Sequence, residues 1–251
     1  MTEDLPPSTR RRMPLLYLLP NLISILALCS GLTAIRMAVE GSFGWAVAFI
    51  GLAAALDGID GRLARMLKSE SEIGAELDSL CDLVNFGVTP ALVLYYWGMR
   101  DDTSLGWIAV LIYAVCCMLR LARFNVGNRV AESENKPKGF VGVPSPAGAM
   151  LALMPIYLSY GFDNAVRLPD WGVALWMVFV GGLMISRMPT PSFKGVRIYT
   201  ENARFVLVGS VALIAALLTY PWVTLLLLDL VYLVAIIVLW RKSARSLRSV
   251  V

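Results

Sequence analysis

The sequence predicts an all-α integral membrane protein, a polytopic bundle of about eight transmembrane helices. Of its 251 residues, 58% are hydrophobic and only 16% are charged, whereas a typical soluble domain is about 45–50% apolar. A helix that crosses a bilayer needs about 20 mostly apolar residues. Segments near that length lie at 16–38, 43–66, 77–98, 104–125, 146–161, 171–188, 203–219 and 222–240.

The connectors between these segments support the same division. The longest connector, 126–143, is too short for a second folded domain. If the N-terminus faces the cytoplasm, every lysine and arginine except Arg36, Arg100 and Arg167 lies on the cytoplasmic side. Because cytoplasmic loops of membrane proteins are enriched in these residues, we predict an even number of spans and two cytoplasmic termini. A re-entrant hairpin formed by the last two helices would keep this pattern.

The residue types that are present narrow the chemistry. The chain has no histidine, so a general base must be a carboxylate, a lysine or a thiolate. The cysteines lie in apolar stretches without zinc-ligand spacing, and we expect all four, Cys29, Cys81, Cys116 and Cys117, to be buried as small hydrophobic residues.

Four aspartates stand near one membrane end of the second and third predicted helices. They belong to two patterns with helical spacing: Asp57, Asp60, Gly61 and Ala64, then Gly74, Asp78 and Asp82. Each pattern therefore occupies one helix face. The short polar segment 66–73 predicts that the two helices are antiparallel neighbours whose acidic faces can meet. Carboxylates at membrane depth are costly and usually functional.

Carboxylates gathered at low dielectric repel one another unless a positive charge lies among them. Their oxygens suit Mg²⁺ or Mn²⁺, and two such ions about 3.5–4 Å apart form a clamp for in-line displacement at phosphorus. The small residues beside the aspartates leave room for a ligand, and Arg65 offers a planar fork for phosphate. The patterns therefore predict a two-metal site for phosphoryl chemistry. Intramembrane carboxylates also mark ion pathways, so a cation transporter is the alternative from another class.

The two patterns resemble a known family at every fixed position. They are similar to the signature of the CDP-alcohol phosphotransferase family, here Asp57-x-x-Asp60-Gly61-x-x-Ala64-Arg65, eight residues, and Gly74-x-x-x-Asp78-x-x-x-Asp82. The resemblance implies a six-helix core, commonly a homodimer, in which the first three aspartates hold two Mg²⁺ or Mn²⁺ ions. Asp82 would contact metal or act as the catalytic base. Gly61, Ala64 and Gly74 would make room for the cytidine nucleotide, and Arg65 would meet its pyrophosphate.

Four further segments resemble the phosphatidylserine synthase branch of that family, namely 20–22, 119–125, 142–147 and 186–194. This resemblance implies that CDP-diacylglycerol and L-serine are the substrates and that phosphatidylserine and CMP are the products. The protein would lie in the phospholipid bilayer of the bacterial inner (cytoplasmic) membrane, with a cytoplasmic active site and no nucleic-acid partner. A family member with another acceptor, such as glycerol phosphate, inositol phosphate or choline, or with an archaeal lipid donor, would share every metal ligand.

A serine acceptor needs a cation for its carboxylate. Arg120 and Arg123 end the fourth predicted helix at the level of the aspartates, and either can bind a carboxylate bidentately, although both also fit as cytoplasmic topology signals. By resemblance, Arg123 with Phe124 is preferred. We also expect Asn21 to touch phosphate or metal and Lys194 to receive the diphosphate.

The predicted functions divide the chain into four parts. These are a cytoplasmic N-terminal segment (1–15), a catalytic membrane core (16–200), an additional C-terminal transmembrane helix pair (201–240) and a basic cytoplasmic tail (241–251). The resemblance does not extend to the last two helices, so their role, and that of Asp229 within them, is left open.

Overall fold

A computed structural model describes residues 15–67, 69, 71–99, 103–133, 142–186 and 203–248. All regular structure in these ranges is helical. Five stretches are long and apolar enough to cross a membrane: Leu16–Val39, Phe43–Leu67, Glu72–Gly98, Ser104–Gly127 and Pro221–Arg241. Asp170–Ile185 and Arg204–Thr219 are shorter apolar helices. The predicted all-α polytopic membrane bundle is therefore confirmed.

The helices follow one another in a simple order. After a 3₁₀ turn, Leu15–Leu18, they are α1 (Leu19–Val39), α2 (Phe43–Leu67), α3 (Glu72–Asp82), a π-helical turn (Leu83–Val88), α4 (Thr89–Gly98), α5 (Thr103–Ser133), α6 (Ser145–Ala152), α7 (Met154–Gly161), α8 (Asp170–Ile185), α9 (Ala203–Thr219) and α10 (Pro221–Arg248). The stretch from α3 to α4 is continuous, and α6 and α7 are separated only by Leu153. Within the described residues, the eight predicted segments therefore correspond to eight helical rods.

Three helices extend beyond the apolar windows that the sequence predicted. The third rod begins at residue 72 rather than 77, α5 runs to 133 rather than 125, and α10 runs to 248 rather than 240. In each case the helix continues through polar residues beyond its apolar window. Ser71 explains the first difference, because its Oγ accepts a hydrogen bond from the backbone N–H of Gly74 at 3.0 Å and caps α3.

Close packing of small residues joins α1 to α2. The buried face of α1 includes Ala27, Gly31 and Ala34, and that of α2 includes Ala46 and Ala53. Small side chains let two membrane helices approach closely. The approach aligns the start of α1 with the end of α2, where the aspartates lie.

The break between α6 and α7 has a local cause. Pro155 lacks an N–H, so the carbonyl of Leu151 loses its helical partner. Trp176 of α8 replaces it, because its Nε1 donates to Leu151 O at 2.9 Å. The broken rod is thereby fixed to α8.

The last two helices differ in their packing. Nearly every described side chain of α9 is exposed, whereas α10 packs against α7, where Trp222 and Tyr160 have ring centroids 4.8 Å apart. Asp229 on α10 is buried, and its Oδ2 has no hydrogen-bond partner among the described residues. Of the cysteines, only Cys29 is exposed, so the expectation of burial is wrong there; it lies on an α1 face that points out of the bundle.

Candidate active site

Three carboxylates meet beside α1. Asp57 and Asp60 lie near the end of α2, and Asp78 lies on α3, with one carboxylate oxygen of each within 4.8 Å of the others. The cluster forms because the α2 aspartates are one helical turn apart and α3 returns alongside α1 after a short connection. Asp60 is buried and the other two are half-buried.

Asp82 joins this cluster through Asp57. It lies one turn beyond Asp78 on α3, and the carboxyl groups of Asp57 and Asp82 approach within hydrogen-bonding range. The Oδ1 atom of Asp82 is buried and has no hydrogen-bond partner among the described residues. Two carboxylates in such contact need a shared proton or a cation.

This donor set fits a divalent ion. It offers several hard carboxylate oxygens in one small volume, which is the ligand type that Mg²⁺ and Mn²⁺ prefer. The Asp82 oxygen without a hydrogen-bond partner among the described residues adds a further oxygen that is available to a metal ion. The residues are therefore suited to hold divalent metal.

Ser24 is a site residue that the sequence reasoning missed. Its hydroxyl donates to Oδ2 of Asp60 at 2.6 Å and also lies 3.2 Å from the carbonyl of Pro20. The contact fixes the orientation of the Asp60 carboxylate. One available signal was its position, because Ser24 follows Asn21 by three residues on the same face of α1.

The predicted nucleotide-binding residues lie around the same end of the bundle. A Cβ atom at Gly74 would stand 3.0 Å from Oδ1 of Asn21, whereas one at Gly61 would meet no atom of the described residues within 4 Å. Asn21 and Gly74 are therefore in contact, and space is open beside Gly61. Arg65 is exposed in the last turn of α2 and Ala64 is half-buried. Lys194 lies outside the described residues.

Arg120 is the buried cation of the site. Only 8% of it is exposed, and it interacts electrostatically with Asp57 and Asp82. It donates to Oγ of Ser145, the first residue of α6. Its guanidinium carbon lies 5.6 Å from the ring centroid of Phe124.

Arg123 has a different environment. It donates from Nη1 to the carbonyl of Ile185 at 2.8 Å and from Nη2 to that of Ser186 at 3.2 Å. These contacts attach α5 to the C-terminal end of α8, where a cation is favourable. Arg123 and Phe124 stay predictions as serine-binding residues, and Arg120, the other predicted cation, lies over the Phe124 ring.

The comparison with protein families agrees with this site. The family model for CDP-alcohol phosphatidyltransferase matches residues 17–185, a range that contains all four aspartates. The chain belongs to this family. Its members use divalent metals, in agreement with the donor set described above. The resemblance drawn from the aspartate signature is confirmed, and α9 and α10 lie beyond the matched range.

Curated relatives share one name. A CDP-diacylglycerol–serine O-phosphatidyltransferase of Mycobacterium leprae is 40% identical over 227 residues, which are 89% of this chain and 74% of the relative. One of Helicobacter pylori is 31% identical over 182 residues, 72% of this chain and 75% of the relative. One of Methanocaldococcus jannaschii is 32% identical over 207 residues, 82% of this chain and 86% of the relative. These names agree with the branch that the sequence resembles.

Proposed function

We propose that this chain is a CDP-diacylglycerol–serine O-phosphatidyltransferase. It transfers the phosphatidyl group of CDP-diacylglycerol to the hydroxyl of L-serine and releases phosphatidylserine and CMP. The observation that carries the proposal is the cluster of Asp57, Asp60 and Asp78 within 4.8 Å, with the buried cation Arg120 in electrostatic range of Asp57. The names of relatives at 31–40% identity support serine as the acceptor.

We assign two Mg²⁺ or Mn²⁺ ions to the four aspartates. When bound, such ions neutralise charge on the phosphate oxygens during in-line displacement. Ser24 holds the Asp60 carboxylate in a fixed orientation by its 2.6 Å hydrogen bond. Hydrogen bonds of this kind to a metal ligand commonly govern metal affinity.

The CDP-diacylglycerol diphosphate lies against the cytoplasmic end of α2. Arg65 and Lys194 contact its oxygens, and Asn21 touches phosphate or metal. The open space beside Gly61 accommodates the nucleotide, together with Ala64 and Gly74. The acyl chains remain in the inner leaflet, so the lipid substrate enters from the side of the bundle.

Serine enters from the cytoplasm and its carboxylate pairs with Arg120, with Arg123 as the alternative cation. Asp82 accepts the proton of the serine hydroxyl while that oxygen attacks the phosphorus that bears diacylglycerol. The bond from this phosphorus to the bridging oxygen of CMP breaks, and Arg65 stabilises the leaving phosphate. The reaction needs no covalent intermediate.

The cellular setting follows from the same proposal. The protein lies in a bacterial cytoplasmic membrane with its termini and active site in the cytoplasm, where serine and CMP are available. It acts as a homodimer, as members of the family commonly do.

The test is CMP release from CDP-diacylglycerol by the purified protein in detergent. Release should require L-serine, stop with a metal chelator and return when Mg²⁺ or Mn²⁺ is added. Asp78→Asn should lose at least about a hundredfold in rate, while Glu72→Gln, an exposed carboxylate change on the same helix, should retain it. Release with glycerol phosphate, inositol phosphate or choline in place of serine would contradict the assigned acceptor, and no release with any alcohol would contradict the transferase.

A further inference from the structure

Tyr232 on α10 has a buried hydroxyl that the fold does not satisfy. Its ring packs against the hydrophobic core, and its hydroxyl has no hydrogen-bond partner among the described residues. Buried polar groups in proteins are nearly always hydrogen-bonded, because an unpaired one loses its contacts with water. The hydroxyl is therefore a candidate contact for a bound molecule.

The surroundings of this hydroxyl indicate which molecule. Tyr232 is in electrostatic range of Arg120, which in turn interacts with Asp82, the proposed base. The buried guanidinium of Arg120 is thus within electrostatic range of both Asp82 and Tyr232. Its positive charge favours an anionic group at this position.

We propose that Tyr232 is a specificity residue for the acceptor and that its hydroxyl donates a hydrogen bond to the serine carboxylate held by Arg120. This inference rests on the proposed function. A tyrosine hydroxyl can donate, and an ionised carboxylate can only accept, so the two groups are complementary beside the arginine. An acceptor without an anionic group, such as choline, would leave Tyr232 and Arg120 unpaired, which is an effective way to reject it.

The inference gives α10 a role that the family match does not supply. The matched range ends at residue 185, whereas α10 begins at Pro221 and packs on α7. In this arrangement the metal cluster comes from α2 and α3, and part of the acceptor contact comes from the C-terminal helix pair.

The test is the kinetics of Tyr232→Phe, which removes one oxygen and keeps the ring. The KM for serine should rise roughly tenfold or more, the loss expected for a hydrogen bond to a charged group. Because binding of the lipid substrate and the chemical step do not use this hydroxyl, the KM for CDP-diacylglycerol and kcat should change by less than about twofold. Tyr220→Phe is the matched control, since Tyr220 precedes α10 and is 68% exposed; it should leave all three constants unchanged.

Two results would overturn the inference. An unchanged KM for serine would show that the hydroxyl does not touch the acceptor. A rise in both KM values together with a fall in kcat and in the melting temperature would assign Tyr232 a purely structural role. If the unaltered protein released no CMP with serine, the proposed function would be refuted, and the inference with it. The wild-type reaction therefore distinguishes failure of the proposed function from failure of the role given to Tyr232.

Discussion

Ser24 illustrates how a neutral side chain can govern a charged site. Asp60 is buried, so its carboxylate has few ways to be oriented, and the 2.6 Å hydrogen bond from Ser24 selects one of them. The serine lies 36 residues from Asp60 along the chain. Only the packing of α1 on α2 brings the two together.

Ser24→Ala should therefore weaken metal binding without dismantling the cluster. Loss of a hydrogen bond to a metal ligand commonly costs about 10–100-fold in metal affinity or activity. The Mg²⁺ or Mn²⁺ concentration that gives half-maximal CMP release should rise by that amount, and excess metal should restore much of the rate. Thr33→Ala is a suitable control, because Thr33 is on the same helix and its hydroxyl donates to the backbone carbonyl of Cys29. A Ser24→Ala protein with wild-type metal dependence would show that Asp60 needs no such support.

Among the four clustered aspartates, Asp82 is the one with a buried carboxylate oxygen that has no hydrogen-bond partner in the described part of the chain. If it is the base, Asp82→Asn should lower kcat at least about a hundredfold, within the range of general acid–base catalysis. Binding of CDP-diacylglycerol, measured separately by displacement of a labelled nucleotide, should fall far less. Near-normal turnover in Asp82→Asn would remove this residue from the proton transfer.

The π-helical turn after Asp82 packs against both α1 and α5. Tyr113 of α5 donates its hydroxyl to the carbonyl of Phe86 at 3.1 Å, within this turn. Asn85 is buried against Gly31, where a Cβ atom would stand 2.1 Å from its Oδ1. Single π-helical turns are frequent near functional sites, and here the close contact depends on a glycine.

Gly31→Ala should consequently destabilise the protein. The added methyl group cannot fit without displacing Asn85, and overpacking of this kind typically costs about 1–3 kcal/mol. The melting temperature in detergent should fall by several degrees. Gly51→Ala on α2 is the matched control, because a Cβ atom there meets nothing within 4 Å among the residues that the structure describes, and alanine favours a helix over glycine. Equal melting temperatures for the two variants would mean that the turn adapts freely.

At the level of elements, the sequence predicted the apolar spans but not how far each helix continues beyond its span. Apolar length determines which segments can span a bilayer, so the eight rods were predictable. Where a helix extends beyond the bilayer, the position of its end is instead determined by caps and polar residues, as at Ser71 of α3. Helical spacing likewise predicted which aspartates share a face, but it carries no information on contacts between distant helices. The contacts of Arg120 with Ser145 and of Arg123 with Ile185 are of this kind.

At the level of the whole molecule, contacts at the helix ends separate two sides of the bundle. Trp222 at the start of α10 lies near Gly44 at the start of α2 and Gly161 at the end of α7. On the opposite side, Arg120 in the C-terminal half of α5 meets Ser145 at the start of α6. These contacts agree with eight rods that alternate in direction, and they place the aspartate cluster on the side opposite Trp222.

The alternation leads to a prediction about orientation. Met66 ends α2 on the side of the aspartates and is 80% exposed, whereas Tyr220 joins α9 to α10 on the other side and is 68% exposed. Because most basic residues of the described helices lie on the aspartate side, that side should face the cytoplasm. In spheroplasts, a membrane-impermeant maleimide should label Tyr220→Cys directly and Met66→Cys only after lysis. The unaltered protein has an exposed cysteine, Cys29, so its labelling is measured in parallel and subtracted. Labelling of Met66→Cys in intact spheroplasts would put the carboxylates outside the cell, away from cytoplasmic serine, and the proposed reaction could not proceed there.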